Sequence, residues 1–408
     1  MERGEGGVTV SRVALVAHAS LPDDTRVRRQ AEALRDAGYD VDLFGLRDAG
    51  QPEVEAWRGL RIIRLPVRRA FTGFAGHLAE YLAFASLVSV RLAVEHRRQQ
   101  YRLVQVATLP DFLAFAALPV RLTGVPLLLD LHEDMPAFFR DRFSSPGLRP
   151  LVTIVTAAAR ASAAVADAII AVHEPLRQLA IARGVPAHRI SVVMDSADER
   201  IFDPTRHARR AFMADGRLRL IHHSNLQRIY GLDLAVEALS LLDPALEAHL
   251  DVFGDGPFRR QIEAAIARHA VGDRVTLHGR VPQDDLPAVL AAADIGLVPT
   301  RPEPYMEYSL STKLIEYVAM GVPVIASDLR TFRSHFDGAA IRFVPGGDPQ
   351  ALAQAIGTMA SDPSAAKSQA AEARRQAVPY AWAVQSAHYL AVVEGLLARG
   401  RLVASGGV

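Results

Sequence analysis

The chain has 408 residues, half of them hydrophobic, and its 46 basic and 45 acidic residues leave a formal net charge of +1. That balance fits a folded globular protein of two or three domains, and excludes a disordered chain or a general nucleic-acid binder with its basic excess. Cysteine is absent, which excludes disulfides, thiolate metal sites and cysteine nucleophiles.

Residues 1–7 are charged and glycine-rich, and the first apolar run, 13–17, is too short for a signal peptide. That run reads as a buried strand, followed by a loop over 18–25, a helix over 26–37 closed by Gly38, and a strand over 41–44. This is the start of a βαβ unit, and open α/β sheets place ligands beyond the carboxyl ends of their strands. Asp24 and Arg26 in that first loop can therefore meet a substrate, although capping the helix explains Asp24 as well. Asp40-Val41-Asp42 enters a strand and reads as structural.

A strand over 61–65 and a long helix over 77–97 come next, the helix with a basic end. Arg68, Arg69, Phe71 and Phe74 make a basic and aromatic mix that could touch an anionic membrane surface, though an ordinary surface loop is the preferred reading. No uncharged apolar segment approaches the roughly 20 residues of a spanning helix, so a soluble cytoplasmic enzyme, at most peripheral to the inner membrane surface, is expected. Strands over 103–106 and 127–130 flank a helix over 112–122. The second strand runs into His132, Glu133 and Asp134, well placed to work at a cleft, while the spacing of a His-Glu-x-x-His metal site is missing.

A helix over 151–166, a strand over 168–172, a helix over 175–183 and a strand over 190–193 complete the first half. Composition then turns polar and basic, which sets the expected domains at 1–203 and 204–380, with a final helix in 381–408 packing back on the first. The alternation restarts with a strand over 218–222, a loop over 224–231 and a helix over 232–242. Asn225, the only asparagine in the chain, and Arg228 lie in that loop, where Arg228 could neutralise a diphosphate. Gly254-Asp255-Gly256 lacks the third glycine of a dinucleotide fingerprint, and no Walker loop exists. After a strand over 295–298, residues 309–328 read as loop, helix, tight turn and strand, with Gly321 and Pro323 ending the helix. Ser311, Thr312 and Lys313 would open that helix at its phosphate-binding end, and Glu316 could hold a diol such as a ribose. Lys313 is one of only two lysines in an otherwise arginine-based chain.

Together these residues resemble the retaining glycosyltransferase family 4. The carriers are Asp24-Thr25-Arg26-Val27 with Gly38-Tyr39-Asp40-Val41, then Pro110-Asp111-Phe112 and Asp130-Leu131-His132-Glu133-Asp134-Met135-Pro136. They continue with Tyr230-Gly231-Leu232-Asp233-Leu234-Ala235, Gly254-Asp255-Gly256-Pro257, Val275-Thr276-Leu277-His278-Gly279 and Ala293-Asp294. Ser311-Thr312-Lys313-Leu314-Ile315-Glu316 with Gly321-Val322-Pro323 is the most specific block. The similarity is greatest to bacterial enzymes of surface-polysaccharide or glycoconjugate assembly.

The resemblance implies the α/β GT-B fold, two Rossmann-like doubly wound domains facing a cleft. It implies a retaining, metal-independent transfer from a nucleotide-diphosphate sugar, UDP- or GDP-linked, to a glycan, lipid-linked or small-molecule acceptor, with no cofactor and no nucleic-acid partner. Glu316 would hold the ribose, and Ser311, Thr312 and Lys313 the diphosphate. Arg228 would add charge, with Asn225, Gly254 and Asp255 completing the nucleotide-sugar set. His132 would face the transferred sugar, forming the catalytic group with Arg228 and Lys313, and Asp24, Arg26 and Glu133 would lie on the acceptor side. Two departures stand out. The family often carries a glutamate eight positions before Glu316, where this chain has Tyr308; Glu307 or Glu303 is the stand-in. Arg228 is followed by Ile229-Tyr230 rather than by a lysine. A non-catalytic sugar-nucleotide or glycan-binding partner subunit and a GT-B-like epimerase are the alternative readings.

Overall fold

The structure, a computed structural model, describes residues 11–67, 73–142 and 149–405. Arg68, Arg69 and Phe71 of the basic and aromatic mix lie outside them. The chain divides into two compact units, one made of residues up to Met194 together with those from Ser386 onward, the other of Asp195–Gln385.

The first unit holds an eight-stranded sheet: β1 (Arg12–Ser20), β2 (Asp40–Leu46), β3 (Val54–Trp57), β4 (Leu60–Leu65), β5 (Leu103–Ala107), β6 (Leu127–Leu131), β7 (Ala168–Ala171) and β8 (Ile190–Val192). Its order is β3-β4-β2-β1-β5-β6-β7-β8, parallel throughout except for the β3–β4 hairpin. β3 is an edge strand that alternates exposed and half-buried residues, so no core pattern marked it in the sequence. The second unit holds β9 (Leu218–His223), β10 (Ala248–Phe253), β11 (Val275–Gly279), β12 (Ile295–Val298), β13 (Val324–Ser327) and β14 (Arg342–Val344). They run parallel in the order β11-β10-β9-β12-β13-β14. The central strands are buried along their whole length because helices cover both faces of such sheets. In each unit the direction of strand addition reverses once, between β1 and β5 and between β9 and β12. Those are the points where doubly wound sheets open a ligand crevice.

Several boundaries differ from the sequence reading. The first unit ends at Met194 rather than at residue 203, because Ala197 and Phe202 are buried in the second unit and line a hollow there with Ile315 and Val318. The helix expected over 112–122 is a 3-10 segment, Asp111–Ala117, followed by one α-helical turn, Leu118–Arg121. Pro119 has no amide to continue the ladder and restarts it instead. From Ser386 the helix Trp382–Ser405 belongs to the first unit, where the Tyr389 hydroxyl donates to Gln105 Oε1 at 2.6 Å.

By length and composition the helix Gly73–Gln99 could span a bilayer, although Glu80 and Arg91 interrupt it and no uncharged run in it reaches that length. The uncharged stretch between Glu80 and Arg91 is extended at both ends by apolar residues. Its inner face, Phe84, Val88 and Leu92, is buried in the first unit along with Glu80 and Glu95, whereas Leu82, Leu87, Val90 and Val94 are exposed.

Candidate functional site

In the second unit the polar groups gather at the carboxyl ends of β9 and β12. β9 closes on His222 and His223. The His222 ring is fully buried between the Leu297 carbonyl (3.0 Å from Nδ1) and the Ser224 hydroxyl (2.9 Å from Nε2). Burial, with the nearby Lys313 charge, lowers its pKa to about 3, so it is a neutral brace. His223 is likewise held well below the usual histidine value by burial, Lys313 and His222. Its Nε2 lies 3.3 Å from Glu316 Oε2, and its ring stands edge-on to Tyr317.

Lys313 is 5% exposed. Its ammonium donates to Ser311 Oγ at 3.2 Å and sits 4.1 Å from the centre of the Tyr230 ring. Burial lowers its pKa to about 8 against the opposing pull of Glu316, so at neutral pH it is still charged. An ammonium has three donors, and a buried cation facing a hydroxyl and an aromatic ring is matched for an incoming anion. The helix Thr312–Ala319 supports the same anion. Ser311 adopts the extended cap conformation, yet its side chain makes no capping bond, since the hydroxyl faces Lys313 instead. The Leu314 amide donates back to the Ser311 carbonyl at 3.1 Å, which leaves the Thr312 and Lys313 amides and the positive end of the dipole to a ligand.

Tyr230 is positioned by a 3-10 turn, Arg228–Tyr230, that ends at Gly231 with φ +64°. A Cβ there would lie 2.0 Å from the Pro299 carbonyl oxygen, so only glycine lets the loop after β9 meet the loop after β12. Gly254, at φ +129°, is as constrained: a Cβ would come within 1.8 Å of the Ser224 carbonyl oxygen.

The remaining residues singled out in the sequence fall at different places. Gly254 braces the turn after β10 against the loop after β9. Asp255 is exposed and accepts from the Gly256 amide at 2.9 Å. Asn225 and Thr312 are exposed, and Arg228, also exposed, is paired with Glu303. Glu307 accepts the Arg330 amide at 2.9 Å, and Tyr308 accepts from the Arg330 guanidinium at 3.4 Å, tying both to the turn of helix Arg330–Arg333.

In the first unit a hollow of about 210 Å³ is lined by His18, Asp24, Arg26, Tyr81, His132 and Glu133, together with Thr108. The four residues expected on this side, Asp24, Arg26, His132 and Glu133, are thus brought together. Asp24 also caps the helix Thr25–Asp36, accepting from the amides of Arg26 (3.1 Å) and Val27 (3.3 Å). Burial pushes its carboxyl up, but Arg26 above all, with His132 and the Val27 amide, brings it down to about 2. His132 Nε2 lies 3.0 Å from Asp130 Oδ2, an oxygen that also accepts from Gln30 (2.7 Å) and Gln105 (3.3 Å). Thr108 Oγ1 accepts the His132 amide at 3.1 Å.

His18, Tyr81 and Thr108 were missed in the first unit, and His223 and Tyr230 in the second. His18 and Thr108 interrupt or follow apolar strands beside the switch point, and the pair His222-His223 ends another apolar strand. A polar residue at the carboxyl end of an apolar run was the signal available.

Two family profiles match this chain, "Glycosyl transferase 4-like domain" over residues 24–194 and "Glycosyl transferases group 1" over 217–362, together more than half of it. The chain belongs to the group 1 glycosyltransferases. This glycosyltransferase is 29% identical over 322 residues to the 2-deoxystreptamine glucosyltransferase of Streptomyces kanamyceticus, covering 74% of this chain and 79% of that one. It is 26% identical to a D-inositol 3-phosphate glycosyltransferase of Xylanimonas cellulosilytica over 86% of each. Among solved structures, sucrose-phosphate synthase from Thermosynechococcus elongatus superposes with a TM-score of 0.77 at 21% identity, over 95% of this chain and 100% of that one. HepE from Anabaena, solved in complex with UDP-glucose, superposes at 0.71 and 16% identity, over 94% of this chain and 99% of that one. The glycosyltransferase has the α/β GT-B fold.

Proposed function

We propose that this glycosyltransferase transfers a sugar, with retention of anomeric configuration and without a metal ion, from a nucleotide-diphosphate sugar to a hydroxyl of a second substrate. The observation that carries the reading is the buried Lys313 ammonium, bonded to Ser311 at the open first turn of the helix Thr312–Ala319. In this reading the diphosphate lies on that turn and on Lys313, and Glu316 holds the ribose hydroxyls with His223 at its back. Arg228 exchanges Glu303 for a phosphate oxygen. The bond from the anomeric carbon to the diphosphate oxygen breaks with its electron pair on the diphosphate. The acceptor oxygen attacks on the same face, and a departing phosphate oxygen takes its proton. The protein contributes preorganised positive charge at the leaving group and alignment of the acceptor in the first unit, where Asp130 orients His132.

The similarity to a glucosyltransferase and the UDP-glucose bound to HepE favour a UDP-linked donor. Retention is what the likeness to family 4 implies. The exposed stripe Leu82, Leu87, Val90 and Val94, ending near Arg97 and Arg98, supports contact with an anionic membrane surface.

The test is a thermal-shift and calorimetric screen of UDP- and GDP-sugars with chelator present, on wild type and Glu316→Ala. A donor at about a hundred times its Kd adds roughly 2.7 kcal/mol of stability. A hit in wild type that is lost in Glu316→Ala upholds the donor site. No hit from any nucleotide sugar, or binding only when a divalent cation is added, overturns it as written.

A further inference from the structure

The first unit contains a second hollow, of about 330 Å³, under the helices Arg149–Val165 and Glu174–Ala182. Its wall is largely aliphatic, with Leu129, Leu131, Ala163, Ile169 and Leu179 contributing. Asp111 also lines it. That carboxyl is 4% exposed, and its Oδ1 has no hydrogen-bond partner. Burial raises its pKa to about 7, helped by Asp134 and Glu133 and opposed by Arg183. Asp134 is occupied, accepting from Arg183 Nη2 at 2.9 Å and from the Ala137 amide at 3.2 Å. Glu133 lines both this hollow and the one that holds His132, so the two adjoin.

We propose that this hollow receives the aliphatic part of the acceptor, whose polar end bonds to Asp111 on the side of Glu133. The inference rests on the assignment of the acceptor to the first unit and names its chemical class. A bare sugar has hydroxyls on every edge and would leave most of them unpaired against this wall, at a cost for each. A diphosphate-linked acceptor would bring its charge to Asp111, Glu133 and Asp134; of the three arginines that line the hollow with them, Arg183 is paired with Asp134, Arg189 donates to the Ala166 carbonyl and Arg160 is exposed. A neutral chain ending in a hydroxyl or glycosidic oxygen satisfies the unpaired Asp111 oxygen and fills the remaining space.

The experiment is calorimetric titration of the full chain, without donor, with methyl, butyl, hexyl and octyl β-D-glucopyranosides below their micelle concentrations. Affinity is expected to rise roughly threefold to fourfold per methylene and then level off as the hollow fills. Ala163→Phe and Ala159→Phe, each placing a ring in the space, flatten the series and leave UDP affinity within about twofold. Equal affinity for methyl and octyl glucosides overturns the proposal. So does a rise that never levels, or one that both phenylalanine variants retain. The wild-type plateau serves alone where a variant fails to fold. A flat series with sugar transfer intact removes the hollow and leaves the glycosyltransferase reading standing. A levelling series without transfer from any donor does the reverse.

Discussion

The two polar sites are built in the same topological place and in opposite ways. In the first unit the charges are compensated internally. Asp24 has Arg26, and Asp130 has His132 with Gln30 and Gln105 behind it, so apart from Glu133 the acidic groups at the hollow are already spoken for. In the second unit a buried ammonium is left with a hydroxyl, an aromatic face and a carboxylate one turn away. A site with its charges paired suits a neutral hydroxylic substrate that needs orientation. A site with a buried cation in excess suits an anion, and pays for that cation's burial until the anion arrives.

Lys313 is where this contrast breaks most easily. Lys313→Met is expected to weaken UDP binding on the order of a hundredfold, since hydrogen bonds to charged groups contribute about 1.5–3 kcal/mol each and the ammonium has donors to spare. Lys313→Arg does not restore it, because a planar guanidinium does not fit over Tyr230 in the same space. Calorimetry checks both, and undiminished binding in Lys313→Met would end the cation-based account of the second site. Gly254→Ala is expected to cost about 2 kcal/mol or more, through the forced contact with the Ser224 carbonyl and the positive φ. Denaturant unfolding should show the loss in the second unit.

On the first side, Tyr389→Phe leaves the Gln105 carboxamide oxygen without its donor and is expected to cost about 1–3 kcal/mol. It should lower turnover through a loosened Asp130 and His132 while UDP affinity stays unchanged. An equal loss in UDP affinity would mean that the two sites are not separable as described. The smallest effect is a pH dependence of opposite sign in free and bound protein. The folded pKa of Lys313, about 8, lies below its unfolded value of 10.5. Above about pH 8 the unfolded chain therefore binds the extra proton, and the free protein gains stability from this group as pH rises toward 10.5. UDP affinity falls over the same range as the ammonium is lost. Thermal shifts of wild type minus Lys313→Met, with and without UDP, separate the two trends.

Much of the fold was legible because buried parallel strands are short apolar runs, and their alternation with helices survives without any tertiary information. The helix Thr312–Ala319 was legible for a further reason: Gly321 and Pro323 end it by backbone chemistry alone. Where tertiary context supplied the order, the reading thinned. β3 pairs only along an edge, and the helix Met135–Arg142 is started by Asp134, a residue read for chemistry rather than as a cap. The helices Pro349–Ser361 and Pro363–Ala377 went unread although Asp348 and Asp362 cap them and proline follows each, a start signal present in the sequence. In the sites, Lys313, Glu316 and His132 were visible as chemistry at strand or helix ends. The aromatic partner Tyr230 and the carboxylate behind His132 were not assigned those roles, since only packing brings them there.

Tyr389 follows Gln105 by 284 residues, with all of the second unit's strands made in between. During synthesis the ribosome releases β9 to β14 long before it releases the hydroxyl that completes the network behind His132. The second unit runs to Gln385 and is itself released only just before Tyr389, so the network behind His132 is among the last contacts the chain can make. A chain cut short before Tyr389 has β1 to β14 yet leaves the Gln105 carboxamide oxygen without this donor, so the last helix closes a network that the strands alone leave open.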